Sequence, residues 1–398
     1  MKLAILGTRG VPPRYGGFET FAAELGKRLV ARGHQVTVYC RMASGERRAA
    51  SGEARSASSP FALRPSPFEW EGIHCVPLPS IGHKYLETVS HTALSALDAL
   101  GRGFDAVLVC NAANAFVLPL LRAARIPVAI NVDGIERRRR KWNLLGKAVY
   151  AAGESLSVVF ADRVIADAQV IADYYTERYA AQPVVIPYGS ELSAADSDVL
   201  TRLGLTPRGY ILYVSRFEPE NNPLEVVEAY ERVARIGSQV PVPGSSAPGT
   251  RHPAPPLVLL GEARYDKALG ERLRAHASAK VLFPGALYGA DYETLQRHAL
   301  VYIQATEVGG THPALIEAMA AGGCVLAHDT PENREVGGEA VGYFSLRPAE
   351  TLSGMLRACL ADPAGREAMR ERSRRRAADL YGWESVTNAY ERLFLELA

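Results

Sequence analysis

Short apolar runs alternate with segments whose apolar residues recur every three or four positions, and this rhythm fills most of the chain. Residues 3–7 read as a buried strand, followed by a glycine- and proline-rich loop over 7–17. Phe18, Phe21, Ala22, Leu25 and Leu29 then fall on one face, which predicts a helix over 18–32 with Gly33 as its stop. Residues 35–40 form the next strand. Strand, glycine loop, helix and strand, in that order, open a doubly wound α/β domain. The same pattern predicts strands at 73–78, 105–111, 126–132, 162–166 and 183–187. Helices are expected after the segment 79–91 and on to about Leu100, over 114–124, in the pattern that continues to Ala161, and over 168–179 with Asp167 as N-cap.

The rhythm pauses over 189–208, which places a domain boundary there. It resumes with strands at 210–215, 256–261, 280–284, 299–304, 324–328 and 341–344. Helices are expected up to Ile236, over 267–277 and 291–298, and from Thr311, with three amphipathic helices at the end, the last from Trp383. The predicted architecture is α/β, with two doubly wound, Rossmann-like domains at 1–190 and 191–382. A final helix, 383–398, packs back on the first domain. Loops at the C-terminal ends of both sets of strands would face a central cleft, where ligands prefer to bind.

Composition narrows the class without naming a chemistry. At 398 residues, 47% hydrophobic and 22% charged, the chain has the length and make-up of two globular cores. A formal net charge of +2 gives no general pull toward nucleic acid. Cys40, Cys75, Cys110, Cys324 and Cys359 are widely spaced and show no metal-like pairing, so buried reduced thiols are expected. No apolar run approaches the about 20 residues that span a bilayer, and the N-terminus reads as strand and turn. A cytoplasmic protein is expected, one that could still rest against the inner face of the membrane. Residues 42–67 and 237–256 read as surface loops.

The candidate chemistry gathers around 305–320. A strand runs into Gly309 and Gly310, and a helix begins near Thr311 with Glu317 about two turns in. Backbone N–H groups at such a helix start favour an anion such as a phosphate, and a carboxylate set back along the helix can hold sugar hydroxyls. Gly16 and Gly17 precede a helix in the same way, but the dinucleotide fingerprint G-x-G-x-x-G is absent. Asp133 follows a predicted strand, where ligands of open α/β sheets bind. Residues 137–141 are the most basic run; they suit either a solvated turn or contact with diphosphate or anionic headgroups. Lys84, Thr88 and His91 share a helical face, and spacing alone favours solvent for it. Asp196 and Asp198 formally read D-x-D, but in a polar linker that offers little as a metal site.

Taken together, residues 7–20, Lys84–His91, Asp133-Gly-Ile-Glu136 with Lys141 and Trp142, Pro219-Glu-Asn-Asn222 and the 305–320 stretch resemble the retaining glycosyltransferases of family 4, which have the GT-B fold. Within them the chain is similar to the branch of bacterial capsule and cell-wall rhamnosyltransferases, over essentially its full length. The resemblance implies transfer of a hexosyl or deoxyhexosyl (rhamnosyl) group from a nucleotide diphosphate sugar, with no metal and no further cofactor. The implied acceptor is a sugar, a lipid-diphosphate-linked glycan of surface polysaccharide synthesis. By the same resemblance Glu317 binds the donor ribose and the N–H groups near Gly310, Thr311 and His312 meet the diphosphate, with Gly16 and Gly17 counted among the donor-binding residues. Asp133 faces the reacting centre, where many relatives have a histidine, and Lys84, His91, Arg140 and Lys141 lie on the acceptor side. The donor's own phosphate takes the acceptor's proton in retaining members, with no protein nucleophile.

Besides Asp133, two departures from the family pattern matter. The usual pair of glutamates has seven residues between them, and counting back from Glu317 reaches Gly309; Glu307, two residues earlier, is the candidate replacement. The usual arginine is followed five residues later by a lysine, and here these positions are Arg216 and Asn221. Asparagine donates a hydrogen bond but carries no charge, so Arg216 would stabilise the leaving diphosphate alone, or with Arg14 or Lys84. The branch tilts the donor toward dTDP-rhamnose, with a UDP-hexose next. The alternatives are a nucleotide-sugar epimerase of GT-B type and a nucleotide-sugar-binding protein without turnover.

Overall fold

The computed structural model describes residues 1–13, 16–42, 66–82, 86–139, 142–191, 197–236, 254–263, 266–348 and 350–398. The chain divides into two compact units. The first holds Met1–Arg137, Trp142–Tyr188 and Trp383–Ala398, and the second holds Arg138–Lys141 and Gly189–Gly382.

The first unit is built on strands β1 (Lys2–Leu6), β2 (Gln35–Arg41), β3 (Phe68–Trp70), β4 (Ile73–Leu78), β5 (Ala106–Cys110), β6 (Val128–Asn131), β7 (Arg163–Ala166) and β8 (Val184–Val185). They form one eight-stranded sheet in the order β3-β4-β2-β1-β5-β6-β7-β8. All pairings are parallel except β3 with β4. β5, Ala-Val-Leu-Val-Cys, is buried at every position, as a central parallel strand covered on both faces must be. Leu6, Val107, Val128 and Ile130 belong to its core, and each such side chain contributes about 1.5–3 kcal/mol on burial. The closing helix, Trp383–Leu397, rests on the helix Gly17–Ala31 through Phe21 against Tyr390, 5.2 Å between ring centroids, and Arg32 paired with Glu391 at 2.6 Å.

The second unit has strands β9 (Ile211–Val214), β10 (Leu257–Leu260), β11 (Val281–Gly285), β12 (Val301–Gln304), β13 (Val325–His328) and β14 (Gly342–Phe344). Their order is β11-β10-β9-β12-β13-β14, and every pairing is parallel. This is the doubly wound order 3-2-1-4-5-6 counted within the unit. Ile211, Leu257, Val301 and Leu326 anchor a core of its own.

Several expected elements shift. The edge strand β3 is half-exposed and carried no apolar alternation to reveal it. The expected strand 183–187 shrinks to the two residues of β8. The helix expected over 114–124 is a 3-10 turn, Ala112–Val117, followed by a short helix, Leu118–Ala123; the Asn111 side chain caps the start by accepting from the Ala113 N–H at 2.9 Å. The cap expected at Asp167 falls on Ala168, with no side-chain cap, and Asp167 is buried. The helix Pro363–Leu380 is not amphipathic in the expected sense, since its buried stripe includes Arg366 and Arg370. Their guanidinium groups donate to the carbonyls of Cys359, Leu360 and Leu300 at 2.6–2.9 Å, which offsets part of the cost of burying them, while the Nε of each has no hydrogen bond of ordinary geometry. The cysteines are free thiols, and Cys324 and Cys359 lie 3.2 Å apart, Sγ to Sγ. Among the described residues no helix is long and apolar enough to cross a membrane.

Candidate functional site

In the second unit the strand order reverses between β9 and β12, and open α/β sheets bind ligands beyond the C-terminal ends of strands at such a point. The loops leaving these two strands carry most of the predicted donor residues. Side chains and backbone stitch the loops together. The Tyr213 hydroxyl donates to the Asn221 carbonyl at 2.6 Å, and Asn221 Nδ2 donates to the Arg216 carbonyl at 2.6 Å. Asn222 Nδ2 reaches across to the Ala305 carbonyl at 2.8 Å, and the Glu307 N–H donates to the Glu220 carbonyl at 2.9 Å. Asn221 is therefore buried and its amide is engaged inside the loop. That bond holds the loop that presents Arg216.

Arg216 itself is exposed, 3.9 Å from Glu218. Arg139 is buried, 3.6 Å from both Glu218 and Glu220. The two cations flank His312. Burial and then the charges of Arg139 and Arg216 push its imidazole down to about 3, so the ring is neutral at ordinary pH. The helix starts at Pro313 rather than Thr311, with His312 as the extended residue before it. Proline suits the first helical position because its missing N–H has no partner to lose. Gly309 and Gly310 are buried, as is Thr311. A Cβ on Gly309 would lie 2.2 Å from His312 Cε1. A side chain at position 309 would require the His312 ring to move from where it stands. Glu307 is half-buried at the start of the same turn.

Glu317 lies one turn into the helix Pro313–Ala320, closer to its start than the sequence suggested. The Tyr292 hydroxyl donates to its Oε2, and Gln296 Nε2 donates to that hydroxyl at 2.9 Å. Burial raises the Glu317 carboxyl above its ordinary value, against the pull of the Tyr292 hydrogen bond. Tyr292 and Gln296, four apart on the helix Gly289–His298, were not singled out from sequence; only their shared face could have pointed to them.

In the first unit the order reverses between β1 and β5. The loop after β1 requires its glycines. Gly7 has φ +90°, and a Cβ there would lie 2.4 Å from the Cys110 carbonyl oxygen. Gly16 precedes the helix with an extended backbone, and its carbonyl accepts from the N–H groups of Glu19 and Thr20, with Gly17 the first helical residue. Glu19, inside the recognised segment but not chosen from it, is buried, and Oε1 accepts from the Arg9 N–H at 2.9 Å. Burial raises its carboxyl above the ordinary value. Asp133 follows β6 with φ +56°, and its N–H donates to Asn131 Oδ1 at 2.9 Å. The negative charges of Glu19 and Asp133 add to burial in pushing the Cys110 thiol well up, and those of Asp133 and Asp167 do the same for Tyr188.

The face shared by Thr88 and His91 is not solvated as spacing favoured. His91 is buried, and neither ring nitrogen has a hydrogen bond of ordinary geometry. Burial and the nearby Arg41 charge push it down to about 4, against the pull of the Cys40 carbonyl. Thr88 accepts from Arg41 at 3.1 Å. The basic run also turns partly inward, with Arg139 buried and Arg137 3.3 Å from the buried Glu154. Lys84, Arg140, Lys141, Arg14 and Asp196 lie outside the described residues.

Two family profiles match the chain: "Glycosyl transferase 4-like domain" over residues 16–189 and "Glycosyl transferases group 1" over residues 203–376. Among solved structures, the chain is similar to sucrose-phosphate synthase from Thermosynechococcus elongatus, with 19% identity, a TM-score of 0.73, and coverage of 100% of this chain and 98% of that one. It is similar to Alr3699/HepE of Anabaena, solved in complex with UDP and glucose, at 15% identity and a TM-score of 0.74 with both chains fully covered. It is also similar to an alpha,alpha-trehalose-phosphate synthase (UDP-forming) from Burkholderia vietnamiensis, at 12% identity and a TM-score of 0.70, again over both full chains. No curated protein matches by sequence. Two doubly wound domains, one matching each profile, make this chain a glycosyltransferase of the GT-B fold.

Proposed function

We propose that the protein is a retaining glycosyltransferase that moves a hexosyl or deoxyhexosyl group, rhamnosyl first among candidates, from a nucleotide diphosphate sugar to a glycan carried on a lipid diphosphate. The product would belong to a surface polysaccharide, assembled at the inner face of the membrane without a metal. The observation that carries the donor half is the switch point of the second unit, where Arg216, the Pro313–Ala320 helix start and Glu317 share one edge of the sheet. The Anabaena structure in complex with UDP-glucose, which shares the fold, supports a nucleotide sugar as donor.

In this reading the diphosphate lies at the N–H groups of Gly310, Thr311 and His312, beside Arg216. The bond from the anomeric carbon to the diphosphate oxygen breaks as the acceptor oxygen adds from the same face. The acceptor's proton passes to the leaving phosphate. Charge on that phosphate grows along the way, so the fixed guanidinium of Arg216 acts most in the transition state. A neutral His312 can accept or donate a hydrogen bond without adding charge. Glu317, oriented by Tyr292, receives the ribose hydroxyls. By the family resemblance, Asp133 is the residue that orients the transferred sugar or the acceptor.

A panel of dTDP- and UDP-sugars, assayed for nucleoside diphosphate release with and without lipid-linked acceptors, tests this. Acceptor-dependent release from one donor is expected. Conversion of the donor without acceptor would point to an epimerase, and tight binding with no consumption under any acceptor would point to a binding protein.

A further inference from the structure

The helix Leu144–Phe160 is amphipathic the wrong way round. Its buried face holds Gly153, Glu154 and Ser157, while its outward face is apolar. Leu144 is 86% exposed, Leu145 73%, Val149 51% and Val159 63%, with Ala148 and Ala152 exposed between them. At 100° per residue these six positions fall within an arc of about 140° that contains no charge and one exposed polar residue, Ser155. The inner face has its own reasons. A Cβ on Gly153 would lie 2.4 Å from the Ala112 carbonyl oxygen, so glycine permits close approach to the 3-10 turn Ala112–Val117. Glu154 accepts from the hydroxyls of Tyr174 and Tyr179 at 2.7 Å each and pairs with Arg137 at 3.3 Å. Among the described residues the apolar side chains on the outside stay exposed, and a set this dense on one face marks an interaction surface.

We propose that this face docks on an anionic lipid bilayer, a proposal that rests on the lipid-linked acceptor of the function given above and names the surface that would bring the enzyme to it. Charge selects the partner. Between residues 137 and 160, Arg137 pairs with Glu154 and Arg139 is buried against Glu218 and Glu220, while Arg138 and Lys147 are exposed and the lone carboxylate, Glu154, is buried. Lys147 is exposed on the flank of the apolar arc, as a headgroup contact requires. Trp142 packs on Tyr150 at the start of the helix, 5.1 Å between centroids, an aromatic pair of the kind that settles at an interface. A two-fold dimer through the same face would instead bring like charges together. The helix is too short and too polar on its inner side to span, so it lies in the plane of the interface.

The full-length protein is sedimented with vesicles of phosphatidylcholine alone and of phosphatidylcholine with phosphatidylglycerol, in the absence of any nucleotide sugar. Wild type is expected to bind the anionic vesicles, more weakly at high salt. The double variant Leu144→Gln, Leu145→Gln should lose about tenfold or more in partitioning, and Lys147→Gln about fivefold, with unchanged thermal melts. Equal binding by the double variant overturns the proposal. So does a wild type that ignores both vesicles, and sedimentation as a dimer that the double variant dissociates would assign the face to a second copy. Because no donor is present, failure here leaves donor-dependent transfer untouched, and failure of transfer leaves this surface untouched.

Discussion

The two sheets reverse their strand order at equivalent places, between β1 and β5 and between β9 and β12, yet the two edges are held together differently. The first edge gathers Glu19, Asp133 and Asp167, and its loop is held by glycines that let backbone touch backbone. The second sets Arg216 and Arg139 about a neutral imidazole, with Glu218 and Glu220 beside them, and its loop is held by the side chains of Tyr213, Asn221 and Asn222. Topology supplies the crevice, and side chains decide its chemistry. The exposed guanidinium of Arg216 suits a diphosphate, and carboxylates such as Asp133 suit hydroxyl groups.

If Arg216 carries the leaving-group charge, Arg216→Ala should have the largest effect on the chemistry, lowering kcat by about 10²–10³-fold. Steady-state kinetics decide it, since a rise in KM at unchanged kcat would remove the transition-state role. Gly7→Ala attacks the other edge through the backbone. Its left-handed φ and the Cys110 carbonyl leave no room for a Cβ, so stability should fall by about 2–4 kcal/mol. A denaturant midpoint equal to wild type would show that the loop is not held as described.

Smaller effects sharpen the contrast. Glu317→Ala should weaken donor binding by about 1–3 kcal/mol by calorimetry, because the ribose hydroxyls lose a half-buried acceptor. Unchanged affinity would move the ribose elsewhere. Asn221→Lys restores the usual residue of the resembling family, but here it breaks the bond to the Arg216 carbonyl and buries an ammonium. It should cost about 1–2 kcal/mol of stability without improving turnover. A faster enzyme would mean the lysine position still faces the diphosphate.

His91 gives the gentlest test, through pH. Unfolded, it takes up a proton near its ordinary value of 6.5; folded, it resists until about 4. The unfolded state therefore binds more protons in that window, and the stabilisation present above pH 6.5 is lost as pH falls toward 4. Wild type should lose about 1–2 kcal/mol from this group between pH 6.5 and 5. His91→Leu should lose correspondingly less, and parallel pH profiles would place His91 in contact with water.

Much of the fold was legible because buried parallel strands are continuous apolar runs, as in β1, β5 and β12, and the helices between them keep a 3.6-residue period. The glycine turns and the 305–320 stretch were legible too, since turn chemistry is local. Periodicity says which residues share a face and not which way that face points. Thr88 and His91 were grouped correctly and assigned to solvent, yet His91 is buried, and the helix Leu144–Phe160 turns its apolar side outward. Partners distant in the chain were invisible for the same reason. Arg139 finds Glu218 and Glu220 some eighty residues away, and nothing local marks a cation as paired rather than solvated. The sequence by itself determined the two sheets and the glycine turns at their edges. Only tertiary structure decided which charges those edges present, because burial and ion pairing depend on distances between residues that no local pattern encodes.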